Sequence, residues 1–313
     1  YLNDFVKRLK EKYLTNGFVF IEVEGPNIRR ENGKAFVEYV IKEKQQVEIS
    51  NIKVLNVPKA IKSKILEKLI NKKGRPLNII KLEKDVEKVK EVLHQSGYYF
   101  ATINNRKDKN IVEYNLSYTE AEIVLNVDPG KVAIFDGVLI SGNRETKDVV
   151  IERELKLNEG EVLTHAKVEG IRRRLSVLGL FSSVQLTPFI VNKGENEETY
   201  LVNLLVRVKE KEFGSIELAP GYRTDIGVKF STSLTYNNLW GMNRAVTLKA
   251  QVNQRLDFEN LDPRRRREEK RLLEYQLSGN FNEPYLFGED ITFDLTTDFQ
   301  RKRFYGFDAD IFR

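Results

Sequence analysis

The spacing of apolar positions changes near residue 212 and divides the chain in two. Upstream, apolar residues recur at helical spacing in stretches that end on glycine. Leu9 and Tyr13 stand eight and four residues before Gly17, Val89 and Leu93 before Gly97, and Ile171 and Leu175 before Gly179. Positions at −8 and −4 share one helix face, and a glycine at the end supplies the left-handed cap. Phe18-Val19, Tyr98-Tyr99 and Leu180-Phe181 follow at once and open strands. The front halves repeat as well, at a spacing of 86: Ile65 with Ile151, Leu69 with Leu155, Gly74 with Gly160, Leu77 with Leu163. Each is a first helix stopped by glycine, then a loop ending in Asn78 or Thr164, both good N-caps for a second helix. Strands are expected at 47–55 and 132–140 before these helices. After them come 98–118, interrupted by a turn, with 122–127, and 181–191 with 200–208. The unit is therefore an α+β repeat of order β-α-α-β-β, a small sheet with two helices on one face. Residues 47–130 and 131–212 are complete copies, and 1–46 reads as the C-terminal half of another.

From Phe213 the period becomes two. Val228, Phe230, Leu234 and Tyr236 alternate with Lys229, Ser231, Ser233 and Thr235, and the same holds around 246–253, 273–281 and 290–299. With 213–221 this makes five strands over 213–313, each with one apolar face. A soluble antiparallel sheet would alternate too. Three features favour a membrane-spanning barrel: strands of ten residues or more, a polar face rich in Lys, Gln, Asn and Asp, and aromatics near the strand ends (Tyr236, Trp240, Phe281, Tyr285, Phe287, Phe299). Five strands are fewer than the eight of the smallest closed barrel, so the barrel is expected to be incomplete here. In outer-membrane barrels short turns face the periplasm and long loops face outward. On that rule the connections 237–243 and 284–289 are periplasmic. The charged connection 257–270, with Arg264, Arg265, Arg266 and Arg267, is exterior, where arginines could meet lipid phosphates.

Composition narrows the classes. Of 313 residues 41% are hydrophobic and 31% charged, which excludes a disordered chain, and no apolar run approaches the length of a membrane helix. Zero cysteines exclude disulfides and thiolate metal sites. The net charge of +6 comes from 52 basic and 46 acidic residues that are largely interspersed, so a solvated surface is the reading and nucleic acid is not expected as a partner. No basic region followed by an apolar run opens the chain, which begins inside an expected helix and reads as a fragment.

No active site emerges. His94 and His165, the two histidines, are 71 residues apart and read as surface positions. The carboxylates single out no acid/base pair, and glycine spacings fit neither dinucleotide nor phosphate-loop patterns. We expect a non-enzymatic protein without metal or cofactor.

Gly142-Asn143, Val150-Ile151-Glu152-Arg153, Glu159-Gly160, Leu178-Gly179-Leu180-Phe181 and Val208-Lys209-Glu210 resemble the barrel-proximal POTRA repeat of outer-membrane assembly factors. Gly221-Tyr222, Asn238-Leu239-Trp240-Gly241 and Glu283-Pro284-Tyr285-Leu286-Phe287-Gly288 resemble their barrel entrance. On these motifs the chain is similar to the BamA and TamA superfamily, and most of all to BamA members. The resemblance implies an outer-membrane protein with residues 1–212 in the periplasm. It implies unfolded outer-membrane proteins as substrates, accessory lipoproteins or periplasmic chaperones as partners, and contact with outer-membrane lipid. It also implies a seam strand, here Gly214, Ser215, Ile216, Glu217 and Leu218, that pairs with substrate strands, with Pro220 breaking its pairing. Sheet edges add strands readily. The last strands of the two complete repeats, at Glu122, Ile123, Val124 and Leu125 and at Leu201, Val202, Asn203 and Leu204, are therefore expected to be open edges. The alternative within the superfamily is a polypeptide secretion pore.

Overall fold

A computed structural model of the chain describes residues 2–106, 111–192, 198–223, 227–254, 273–304 and 307–312. Its contacts divide it into two units: Tyr1–Gly137 with Asn158–Val168 and Ile190–Asn203, and Val138–Leu157 with Glu169–Phe189 and Leu204–Arg313.

The first unit opens with helix α1 (Leu2–Thr15), stopped at Gly17 with φ +86°, and the antiparallel hairpin β1 (Glu22–Glu31) and β2 (Lys34–Lys42). Next come β3 (Glu48–Leu55), α2 (Lys59–Lys68), a 3-10 turn at Ile79–Lys81, α3 (Leu82–Gln95), β4 (Thr102–Ile103), β5 (Val112–Tyr114) and β6 (Glu120–Asp128). On α3, Val86, Val89, Val92 and Leu93 are buried at helical spacing, and they pack with Ile49, Ile65, Leu77, Ile123 and Leu125 into one core. Asn78, expected to cap the second helix, instead caps the 3-10 turn that leads into α3, accepting from the Lys81 amide at 3.1 Å. Asp85 is only 2% exposed and stitches the loop after α2 to α3. Its carboxylate accepts from the amides of Ile70 (2.5 Å) and Asn71 (3.0 Å) and from Asn71 Nδ2 (2.8 Å).

The strand region expected over 98–118, interrupted by a turn, is shorter among the described residues than expected. It forms two short pieces around a 3-10 turn at Asn104–Arg106. There the Asn105 side chain donates to Val124 O at 2.7 Å and accepts from the Asn126 amide at 3.1 Å, a local substitute for ladder bonds.

β7 (Val132–Ser141), α4 (Asp148–Glu152), α5 (His165–Val177), β8 (Phe181–Asn192) and β9 (Thr199–Glu210) repeat the order, with residues of the three strands falling in both units. Thr164 Oγ1 accepts from the Lys167 amide at 3.3 Å and starts α5. The sheets run β3-β6-β4, with β5 also on β6, and β7-β9-β8. This overturns the expected edges. Glu122, Ile123, Val124 and Leu125 lie on β6, and Leu201, Val202, Asn203 and Leu204 on β9, each the central strand of its sheet. The cause is the crossover: the chain returns over both helices and lays its last strand parallel to β3, between β3 and the second strand. The row of unpaired backbone groups sits elsewhere.

In the second unit β10 (Gly214–Arg223), β11 (Gly227–Leu239), β12 (Arg244–Gln254), β13 (Leu273–Glu283), β14 (Phe293–Phe304) and β15 (Phe307–Phe312) form an antiparallel sheet in sequence order. That is six strands among the described residues, one more than expected, because the six-residue β15 follows β14 too closely to stand out as a separate run. Register places Leu218, Thr232, Ala250, Leu277, Phe299 and Phe312 in one cross-strand row, and Glu217, Ser233, Lys249, Ser278 and Asp298 on the opposite face. Leu218, Leu277 and Phe312 are exposed on the apolar face. No helix among the described residues is long and apolar enough to cross a membrane.

Candidate functional site

The expected seam residues lie on β10, which pairs only with β11 among the described residues and so forms one end of the sheet. Among those residues its other row of amides and carbonyls has no strand partner. Ile216 (71% exposed) and Leu218 (64%) point to the apolar face, and Ser215 and Glu217 to the polar one. Pro220 does not break the strand. The register runs without a shift from Gly214↔Tyr236 through Pro220↔Phe230 to Arg223↔Gly227. An edge strand is where a missing N–H costs least, since half of its donors have no ladder partner to lose.

The base of β10 is fastened. Phe213 is buried, its carbonyl accepts from Asn237 N at 2.9 Å, and its ring meets Tyr236 edge-on at 6.4 Å. The turn between β11 and β12 is in turn fixed to the segment that leads into α4. Asn238, 1% exposed, donates to Thr146 Oγ1 at 3.0 Å and accepts from the Asn243 amide at 2.9 Å. Gly241 accepts from Lys147 N at 3.0 Å, and Tyr236 Oη donates to Glu145 at 3.2 Å. Glu210, at the end of β9, collects the amides of Arg144 (3.0 Å), Glu145 (3.2 Å) and Thr146 (2.8 Å) on its carboxylate. Desolvation raises that carboxyl, but the hydrogen bonds from Thr146, Arg144 and Glu145 outweigh it and leave it below the ordinary carboxylate value.

A second fastening uses the turn after β13. Tyr285 Oη donates to Glu154 at 2.9 Å, and the Arg153 guanidinium lies 3.7 Å from the Tyr285 ring centre. Arg153 Nε and Nη2 are buried with no hydrogen-bond partner, so the ring face is the compensation on offer. Burial first, then the bond to Glu154, push the Tyr285 hydroxyl up to about 12. Arg174 donates to the carbonyls of Glu154 and Leu155, both at 2.7 Å, and Lys156 pairs with Asp290 at 3.1 Å. Arg244 pairs with the nearly buried Glu283 carboxylate. Both short turns therefore meet the same segment, 144–156.

Arg264, Arg265, Arg266 and Arg267 lie outside the described residues. Among the described residues no cluster of three or more His, Asp or Glu side chains could hold a metal ion. His94 and His165, read separately in the sequence, come together with Tyr99 in a ring stack, with the imidazole centres 5.6 Å apart. Sequence reasoning listed Asn143, Arg153, Glu210 and Tyr285 as motif members but did not find that they join two parts of the chain. Only the run of polar residues at 142–148 hinted at it.

The POTRA family model, described as surface antigen variable number repeat, matches residues 47–130 and 133–211, more than half of the chain. The chain belongs to the POTRA family. The chain is similar to the outer membrane protein assembly factor BamA of Neorickettsia risticii, 27% identical over 245 residues, covering 78% of this chain and 31% of that protein. BamA of Buchnera aphidicola is 27% identical over 250 residues, covering 78% of this chain and 39% of that one. The chain thus spans about a third of the length of these curated relatives. Among solved structures, BamA from Haemophilus ducreyi lacking POTRA domains 1–3 matches with a TM-score of 0.63 at 20% identity, over 81% of this chain and 43% of that one. The architecture is that of POTRA repeats followed by an antiparallel barrel-type sheet.

Proposed function

We propose that the chain is the part of an outer-membrane protein assembly factor that holds its last POTRA repeats and the first strands of its barrel. Residues 1–46, 47–130 and 131–212 are its periplasmic repeats, and 213–313 spans the membrane with the apolar row of β10–β15 toward lipid. Its substrates are unfolded outer-membrane proteins, delivered with the help of accessory lipoproteins or periplasmic chaperones. It works without a cofactor and is not an enzyme in the bond-making sense. The names of the curated relatives support this reading.

The observation that carries the mechanism is a first sheet strand that pairs with β11 alone among the described residues and has a fixed base. A nascent barrel strand cannot enter hydrocarbon with its amides and carbonyls unpaired. β10 offers them a temporary partner by β-augmentation, with backbone bonds supplying the affinity. Its exposed Ile216 and Leu218 keep the paired strand on the lipid side. The fastening at Phe213, Asn238 and Gly241 holds the start of β10, so that pairing grows from a defined register.

The test is complementation of a depletion strain by the full-length protein. Ile216→Pro removes one donor and obstructs the edge, so growth is lost while the protein is still inserted. Ile216→Val is close to silent. Full growth with inserted Ile216→Pro removes strand templating.

A further inference from the structure

Two joints in the first unit are built alike. At the first, the Val47 amide donates to Gly17 O at 2.9 Å, and a Cβ on Gly17 would lie 2.8 Å from Val47 O. At the second, the Ala133 amide donates to Gly97 O at 2.9 Å, and a Cβ on Gly97 would lie 2.6 Å from Val162 Cγ1. Phe20 meets Tyr114 edge-on at 5.2 Å in one, and Phe100 meets Tyr200 edge-on at 6.0 Å in the other.

The repeat spacing shows where the two joints differ. A step of 80 carries Leu14 to His94 and Val19 to Tyr99, and a step of 86 carries Ile79 to His165. Three aliphatic positions thus become two imidazoles and a phenol, and these are the two histidines of the chain. In the second joint the three rings stack on one another: His94 to His165 at 5.6 Å and 22°, Tyr99 to His94 at 6.0 Å and 19°, Tyr99 to His165 at 5.9 Å and 28°.

We propose that the joint between repeats 47–130 and 131–212 is a proton-responsive hinge, closed while the His94 imidazole in its ring stack is neutral and loosened as that ring takes up a proton, whereas the aliphatic joint before it does not respond. Neutral imidazoles stack with each other and with the phenol at little cost. Protonating His94 puts a cation in a half-buried place, stacked 5.6 Å from the His165 ring. The groups facing His94 are His165 from α5, Tyr99 from its own repeat, and Lys90 and Glu87 along α3. Burial first, then His165, hold His94 below its ordinary 6.5. Lys90 adds to that, while the Ala101 backbone and Glu87 pull the other way. The sign follows: the closed joint binds fewer protons than the open one, so closure is favoured above the ordinary histidine value and weakens as pH falls below it.

This chain contributes no cysteine, and with any cysteine elsewhere in the full-length protein replaced by serine, an introduced pair is the only labelling site. The full-length protein in nanodiscs carries spin labels at Lys64→Cys and Glu159→Cys across the second joint, or at Lys10→Cys and Lys64→Cys across the first. Pulsed electron resonance compares about pH 7.5 with about pH 5, a window that brackets histidine titration. The second pair should broaden or shift its distance distribution on acidification, and the first pair should not. His94→Leu with His165→Ile, which gives the two histidine positions the residues of the first joint, should abolish the response. His165→Asn alone should move the midpoint to higher pH, because the repulsion on His94 is gone. A second-pair distribution unchanged by pH overturns the proposal. So does a change that survives in the double variant, or one of equal size across the first joint.

Discussion

Gly241→Ala should open the contact between the β11–β12 turn and the segment before α4, and a second glycine provides the measure. Gly241 has φ +71°, and a Cβ there would lie 2.2 Å from Glu145 O. Gly288 has φ +86°, with nothing within 4 Å of a Cβ. Left-handed backbone costs an L-residue about 1–2 kcal/mol, and both variants bear that alike. Only Gly241→Ala must also push two backbones apart by roughly 1 Å to reach an ordinary contact distance. The bonds Lys147 N to Gly241 O and Asn238 Nδ2 to Thr146 Oγ1, each 3.0 Å, cross that same gap. Losing both costs about 1–3 kcal/mol, toward the upper end because Asn238 and Thr146 are 1% and 3% exposed. At about 1.4 kcal/mol per tenfold, the amides of Thr146 and Lys147 should exchange with solvent roughly 5- to 100-fold faster in Gly241→Ala than in Gly288→Ala. Hydrogen exchange read by mass spectrometry on the 142–148 peptide, in the full-length protein in nanodiscs, gives the ratio. Equal exchange in the two variants would refute the close approach as the element that fixes the turn.

Asp85→Ala should cost about 3–5 kcal/mol, since it strands the amides of Ile70 and Asn71 in a loop where Asp85 and Asn71 are 2% and 3% exposed. Lys84→Ala next to it should stay within about 0.5 kcal/mol, and urea denaturation followed by circular dichroism separates the two. The Tyr285 hydroxyl, raised from 10.0 to about 12, adds stability that is complete below pH 10 and lost as pH climbs from 10 to about 12. Subtracting the tyrosinate absorbance titration of Tyr285→Phe from that of the wild type should reveal one tyrosine titrating near the upper value, and a component at the ordinary value would refute the buried bond to Glu154.

The repeat was legible because its signals are local. Gly17, Gly97 and Gly179 each end a helix at positive φ, and Val86, Val89 and Leu93 mark one face of α3 at a period that no strand shares. The alternation after Phe213 was legible for the same reason: the pleat puts every second residue on one face, as the row through Leu218, Ala250 and Leu277 shows. Strand order is a different kind of property. Nothing in 120–128 says whether a neighbour lies on one side or both. A weak hint was that the residues between Ala121, Ile123, Leu125 and Val127 on β6 are half-buried, not exposed, which exposure shows and apolar spacing does not. The joints were illegible for a related reason. Glu210 reaches Thr146 across 64 residues and Tyr285 reaches Glu154 across 131, distances at which spacing carries no information.

The placement of these joints bears on how a template strand could work. A strand that binds partners along its whole length needs an unpaired row, and that row is unstable if the strand can slide, because a slip of one residue turns every side chain to the wrong face. β10 cannot slide at its start. Phe213 is buried beneath Tyr236, and the turn beyond Tyr236 is fixed at Asn238 and Gly241 to the segment that Glu210 holds only four residues before Gly214. The chain thus leaves β9, closes a loop of hydrogen bonds through 144–147, and enters β10 in a set register. The restraint acts on one end only. Toward Pro220 and Arg223 the strand has only its ladder with β11 among the described residues, so within this sheet its resistance to opening is greatest near the fastened base. An incoming strand would meet a fixed register at the base and a yielding edge at the tip, and that gradient gives added pairing a direction.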